Sequence, residues 1–272
     1  MLEGTYNAAF LPPTGFEEQR PAYFTWVAES VCNDNSCVAT ATLLNPTVGQ
    51  RLPDNMEFDY GDGHWLSVNE QPGVCDRGDA GTFDGSEWFI ISLEPHPDGT
   101  MSGSYRNVMS IGGCQVEQPV RLTRAAQPQS ASELADPAML EPRAVSPAVG
   151  LRGTYTRTQT LPDSDQEFEP TTFTGDTLCL RTGTKCLTFM RTADKSGVMV
   201  MVFADGRWTE TLVPSDITCG DATGTMTSRI EYPLLAPTPD PIAVQTGNLR
   251  QTYSDGCTGH RDYQLTLERT EG

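Results

Sequence analysis

Lysine is almost missing from this sequence. Lys185 and Lys195 are the only two among 272 residues. With 18 basic against 36 acidic side chains the net charge is −18, a field that repels phosphate backbones and anionic lipid surfaces and argues against nucleic-acid partners. Histidine is scarce as well: His64, His96 and His260 are the full set. A hydrolase triad needs a histidine held by a carboxylate beside a nucleophile, and all three read as loop residues. Gly-x-Ser-x-Gly, a phosphate-cradling loop and His-Glu-x-x-His are all absent. The longest apolar run, Val198 to Phe203, suits a buried strand and falls far short of the roughly 18 residues of a membrane helix. No basic-then-apolar leader opens the chain, so it reads as a soluble piece whose export signal or membrane anchor lies elsewhere in a longer protein. Charged residues make up 20% and hydrophobic ones 37%, so the acidity belongs to a folded, soluble surface and not to a disordered tail.

What is present is a repeat. Leu2-Glu3-Gly4-Thr5-Tyr6 returns as Leu151-Arg152-Gly153-Thr154-Tyr155, and Asp62-Gly63-His64-Trp65 returns as Asp205-Gly206-Arg207-Trp208. Eight cysteines follow the same order in each half, at 32, 37, 75 and 114 and then at 179, 186, 219 and 257. So many landmarks in one order indicate a duplication. The expected organisation is a first repeat over 1–124, a linker over 125–150 with four prolines, and a second repeat over 151–272. If flexible, that linker would span about 25–30 Å, and Ser132-Glu133-Leu134-Ala135 could form one helical turn.

Within a repeat the apolar residues alternate with polar ones. Met56, Phe58 and Tyr60 do so in the first copy, and Tyr263, Leu265 and Leu267 in the second; this is the period of half-buried strands. Asp62-Gly63, Asp98-Gly99, Asp205-Gly206 and Asp255-Gly256 are hairpin dipeptides. Runs starting near Gly4, Tyr23, Cys37, Met56, Trp65, Trp88, Met101 and Val116 give about eight strands per copy. The expected fold is all-β: two tandem, small, antiparallel barrels, with a β-sandwich as the alternative.

The cysteines can be staples or zinc ligands. Cys32 and Cys37 bracket Asn33-Asp34-Asn35-Ser36, and Cys179 and Cys186 bracket a similar turn, so each pair faces across a hairpin. Cys75 with Cys114 and Cys219 with Cys257 remain. Close Cys-x-x-Cys knuckles are missing and the other gaps approach 40 residues, which disfavours zinc. Disulfides in turn imply an oxidising compartment outside the cytoplasm. The acid-rich Asp76-Arg77-Gly78-Asp79, continuing to Asp84-Gly85, misses calcium-loop spacing and reads as a solvated loop; its Arg-Gly-Asp tripeptide reads as coincidence. No catalytic residue, metal or cofactor is expected.

Aromatics sort by the repeat. Tyr6, Trp65, Tyr155 and Trp208 occupy shared positions and are expected as core anchors. Trp26 and Trp88 are specific to the first copy, so they are candidates to line a ligand pocket if the barrel is open. Asp98-Gly99-Thr100-Met101-Ser102-Gly103-Ser104-Tyr105 and the opening Gly4-Thr5-Tyr6 resemble the strands of calycin barrels (lipocalins and avidins), which adds Tyr105 to the candidate lining. The second copy lacks the later motif. Leu151 to Tyr155, Cys179-Leu180-Arg181-Thr182-Gly183, Gly206-Arg207-Trp208 and Glu231-Tyr232-Pro233-Leu234 resemble extracytoplasmic domains of mycobacterial and related actinobacterial membrane proteins, some of them sensor regions of transmembrane serine/threonine kinases. That resemblance implies a membrane-tethered, non-catalytic module that recognises a cell-envelope ligand or protein partner. A structural or interaction component with filled barrels is the alternative.

Overall fold

The computed structural model describes residues 1–13, 18–33, 36–44, 52–78, 81–111, 114–129, 131, 134–162, 164, 166–236 and 238–271. Alternating patterns bounded by turn dipeptides leave the chain little but strands to form, and sixteen are seen among these residues. The first eight are β1 (Gly4–Phe10), β2 (Ala22–Cys32), β3 (Cys37–Leu44), β4 (Asn55–Gly61), β5 (His64–Asp76), β6 (Thr82–Pro95), β7 (Met101–Met109) and β8 (Gln115–Arg124). The second set is β9 (Gly153–Thr160), β10 (Thr171–Cys179), β11 (Cys186–Thr192), β12 (Val198–Ala204), β13 (Arg207–Cys219), β14 (Ala222–Pro233), β15 (Val244–Ser254) and β16 (Gly259–Glu271).

Each set closes on itself in sequence order as an antiparallel barrel. In the first barrel, β1 pairs with β8 from Tyr6 opposite Arg124 to Phe10 opposite Val120. In the second, β16 pairs with β9 from Gln264 opposite Thr160 onward. Closure leaves no free sheet edge, and the sandwich alternative gives way to it. Only β6 starts well before its expected place, at Thr82; Phe83 is the single apolar side chain between Thr82 and Glu87, too little for an alternating signal.

Asp62 and Gly63 both take positive φ (50° and 85°), as do Asp205 and Gly206 (51° and 73°). That is the geometry of a two-residue hairpin whose twist matches its strands. Gly103 in β7 is a different case, because a Cβ there would lie 1.8 Å from the Ser92 carbonyl oxygen. Gly247 in β15 holds the same place, with a Cβ position 2.3 Å from the Glu231 oxygen. The glycine of the calycin-like run therefore does recur in the second copy. Gly247-Asn248-Leu249 stands where Gly103-Ser104-Tyr105 stands in the first.

By proximity the chain forms two compact units, Met1–Gln71 with Glu87–Val108 and Gln115–Pro142, and Pro72–Ser86 with Met109–Cys114 and Arg143–Gly272. The proline-rich stretch is not a free coil. In the first unit, Gln129 donates its N–H to Thr5 Oγ1 at 2.8 Å, Thr40 Oγ1 donates to the Ala135 carbonyl at 2.6 Å, and a 3-10 turn at Pro137–Met139 packs on β2 and β3. In the second, Arg143 donates to the Cys179 carbonyl at 2.7 Å and a 3-10 turn at Pro147–Gly150 packs on β10. Of the expected helical turn, Ser132 and Glu133 lie outside the described residues, and Leu134 and Ala135 carry no helix.

All eight cysteines pair: Cys32–Cys37, Cys75–Cys114, Cys179–Cys186 and Cys219–Cys257. No thiolate remains for zinc. The short bridges join opposed residues of adjacent strands, while the long ones tie the end of β5 to the β7–β8 turn and the end of β13 to the β15–β16 turn. Loop-closure entropy makes the long bridges the stronger. Cys75→Ser with Cys114→Ser should cost about 4 kcal/mol and Cys32→Ser with Cys37→Ser about 2 kcal/mol, read as urea unfolding free energies of the oxidised chain. On the same assay Gly103→Ala should cost about 2–3 kcal/mol because β6 must move away. Gly61→Ala, where nothing lies within 4 Å, should change stability by about 0.5 kcal/mol or less.

Candidate functional site

Inward-facing side chains fill both barrels. In the first, Tyr6, Trp26, Phe58, Trp65, Phe89 and Ile91 are fully enclosed in one core; in the second, Tyr155, Met190, Met201, Trp208, Tyr232 and Leu267 are. The four shared aromatics thus sit in the two cores. Trp208 donates its indole N–H to Thr188 Oγ1 at 3.1 Å, whereas the N–H groups of Trp26, Trp65 and Trp88 have no partner. Of the copy-specific pair, Trp26 is packed within the core. Trp88 alternates with the inward Phe89, Ile91 and Leu93, lies outside that core, and is buried all the same. The two tryptophans do not share a pocket.

The third candidate, Tyr105, does line one. At the end of the first barrel where β1 finishes and β2 begins, Phe10, Phe24, Leu52, Tyr105, Asn107 and Gln118 are among the side chains around a cavity of about 210 Å³. The phenyl ring of Phe10 meets the rings of Phe24 and Tyr105 edge-on, at 5.3 and 5.2 Å between centroids, and its inner side rests against Trp26 at 6.0 Å. Asn107 is fixed by its Nδ2, which donates to the Glu87 carboxylate at 2.9 Å in a buried pair. The opening is apolar and exposed: Val116 is 41% accessible, and the neighbouring Leu11 and Tyr23 are 37% and 71% accessible. Phe10, Phe24 and Asn107 carry no repeated landmark, so the duplication gave no reason to single them out. The signal that could have found them is the alternation that places Phe24 and Trp26 on one face of β2.

The same end of the second barrel is plugged. Register places Gln251 where Asn107 stands and Tyr263 where Gln118 stands. Tyr253 and Tyr263 both donate their hydroxyls to Gln251 Oε1 at 3.2 Å, and Phe168 caps Tyr263 edge-on at 5.6 Å. A wider hollow of about 740 Å³ lies on the outer faces of β13 to β16. Its charges are spent on one another, Arg229 with Glu231 at 2.8 Å and Arg250 with Asp262 at 2.7 Å, and exposed pairs of this kind contribute little.

Of the three histidines expected in loops, His96 is in the β6–β7 connection and the other two are strand residues. His64 opens β5 and His260 lies in β16, 3.7 Å from Asp262. His96 Nε2 is 2.6 Å from Ser102 Oγ across the β6–β7 hairpin, a dyad that sequence reasoning missed. Asp98, the nearby carboxylate, is held below its ordinary range by accepting the Thr100 hydroxyl and N–H. It therefore orients Thr100 and not the imidazole, and the dyad is a hairpin staple. Among the described residues no cluster of His, Cys, Asp and Glu is placed to hold a metal. Asp79 of the Arg-Gly-Asp run lies outside them, as do Asp34 and Asn35 of the first hairpin turn.

Barrel two does contain one ionisable group that sequence reasoning did not single out. Glu210 is 2% exposed on β13. Its Oε1 accepts the Val200 N–H at 3.1 Å and its Oε2 has no partner. Burial pushes its carboxyl up to about 7, against the opposing effects of the Val200 hydrogen bond and the Arg157 charge.

Comparison with known proteins follows the fold. No curated protein matches the sequence. The sensor domain of Mycobacterium tuberculosis PknI in its monomeric form is 21% identical, over 51% of this chain and 97% of that one, with a TM-score of 0.37. Its dimeric form is 19% identical over 47% and 85%, with a TM-score of 0.36. A DUF3598-family protein of unknown function from Nostoc punctiforme is 10% identical over 98% and 96%, with a TM-score of 0.26. Residues 2–139 match the family model of the PknI serine/threonine-protein kinase sensor domain, and a sensor domain stapled by four disulfides has an extracytoplasmic location. With that match running over half of its length, the chain belongs to the PknI sensor-domain family.

Proposed function

We propose that the chain is a non-catalytic, extracytoplasmic sensor module, membrane-tethered in its parent protein, whose first barrel takes a small neutral, apolar envelope ligand in its mouth. The observation that carries this reading is the difference between the two barrel ends. Identical topology leaves an aromatic-walled cavity of about 210 Å³ in one copy and a hydrogen-bonded plug of Gln251, Tyr253 and Tyr263 in the other. A dry cavity of about 150 Å³ already holds a benzene-sized guest. The lining has no charged side chain, the Glu87 carboxylate stands behind Asn107, and the chain is strongly acidic. An anionic ligand would be repelled.

A second reading has its own support. Below the mouth the first barrel is packed solid with Trp26, Trp65 and Phe58, as expected for an envelope protein that touches other proteins and takes no ligand. The two separate in a titration of the intact chain with indole and with 1-hexanol, followed by amide chemical shifts. The expected result is saturable shifts confined to Phe24, Tyr105 and Gln118 with a Kd of about 1 mM or lower, weakened at least about tenfold by Val116→Trp, which fills the opening. Shifts that never saturate, or that fall outside the mouth, would overturn the ligand reading and favour the second.

A further inference from the structure

Both barrels share a weak point. The hairpin β4–β5 has only three rungs, Gly61 opposite His64, Tyr60 opposite Trp65 and Asp59 opposite Leu66. Hairpin β12–β13 repeats this with Ala204 opposite Arg207, Phe203 opposite Trp208 and Val202 opposite Thr209. On their other sides the same strands pair at length, β12 with β11 over six rungs and β13 with β14 over eleven. A gap in the wall therefore opens just past the third rung, where buried backbone groups need other partners.

A buried polar side chain stands two residues after the shared tryptophan, beside this seam, in each copy. In the first it is Ser67, fully buried, its hydroxyl accepting from Asn69 Nδ2 at 2.8 Å. Both groups are neutral. In the second it is Glu210, whose Oε1 takes the N–H of Val200, the residue that would face Thr211 if the ladder continued. Tyr232, which is paired with Trp208 and so stands diagonally across from Glu210, has a buried hydroxyl without a partner as well; burial pushes its pKa up, and the Glu210 charge adds to this in a smaller measure.

We infer that Glu210 is a protonation switch for the β12–β13 seam, holding it closed in acid and loosening it when the carboxylate ionises. Neutral Glu210 keeps Oε1 on Val200 and buries no charge beside the unpartnered Tyr232 hydroxyl one strand away. Ionised Glu210 is a buried charge with a lone pair facing no donor. Among the described residues the compensating charge comes from Arg157 of β9, and its guanidinium is stacked over Phe173 at 5.1 Å. β12 turns the uncharged Met199, Met201 and Phe203 into this core, and Tyr232 is the titratable group that faces Glu210 from β14.

The sign follows from the proton count. The ordinary value is 4.5 and the folded value about 7, so between them the folded chain holds a proton that the unfolded chain has lost. The stabilisation is complete below 4.5 and disappears as pH rises through about 7. The inference is independent of the mouth pocket.

The test uses the intact, oxidised chain. The Glu210 carboxyl carbon, followed by NMR, should titrate near 7. Protection of the Val200 amide against exchange, corrected for intrinsic rates, should fall at least about tenfold from about pH 5 to about pH 8. Phe58 beside Ser67 provides the reference that should not change. Glu210→Gln and Glu210→Ser, the latter copying the first barrel, should both remove the pH dependence. A carboxyl midpoint near 4.5, or a loss of protection that survives in either variant, would overturn the inference. Because the carboxyl titration needs no variant, it decides the matter even if neither variant folds.

Discussion

The constraint on which everything else depends is closure of each eight-stranded sheet upon itself. Once β1 meets β8 and β9 meets β16, every wall strand has two neighbours, and the interior is as wide as eight strands allow, which side chains can just fill. That fixes which residues face inward and explains why the large rings recur at Tyr6 and Tyr155 and at Trp65 and Trp208. It also explains Gly103 and Gly247, since strands bent into so tight a wall approach closely enough to leave no room for a Cβ.

Closure leaves two regions unspecified, the barrel mouth and the short seam, and these are where the copies differ. A mouth needs no particular side chain to keep the wall intact, so one copy can carry Asn107 and Gln118 around a cavity while the other fills the space with Gln251 and Tyr263. At the seam the second barrel meets a stranded N–H with the Glu210 carboxylate, where the first carries a buried Ser67 that accepts from the Asn69 side chain. A buried carboxylate is the costlier solution, because its desolvation is offset only in part by one hydrogen bond and one distant guanidinium. Its retention at a position where serine suffices in the sister barrel is what marks Glu210 for a role beyond packing.

Much of the frame was legible in the sequence. The paired cysteines, the Asp-Gly turns and the shared aromatics are local or repeated signals, and they gave strand number, barrel topology and extracytoplasmic setting. What escaped is non-local. Whether Trp88 faces the core depends on register with Phe89, and a one-residue shift reverses every side chain. The mouth is assembled from β1, β2, β7 and β8, whose lining residues run from Phe10 to Gln118 in the sequence. Glu210 looks like any polar residue of an alternating strand until the ladder beside it stops after three rungs. The proline-rich stretch reads as a flexible coil because its composition is that of one, while its backbone groups are bound to Thr5 and Thr40 and its Arg143 side chain donates to the Cys179 carbonyl.

The disulfides decide how far a loosened seam can spread. β13 carries Glu210 near one end and Cys219 at the other, with a register shift between Leu212 and Ser215. Its start is set by the two-residue turn at Asp205 and Gly206, its finish is tied through Cys219 to Cys257, and it pairs with β14 on both sides of that shift. β12 is held along its far side by β11. Losing the bond from Val200 to Glu210 therefore frees only the stretch between the third rung and the register shift. A barrel built this way can change locally with pH while its fold stays intact, as a sensor requires.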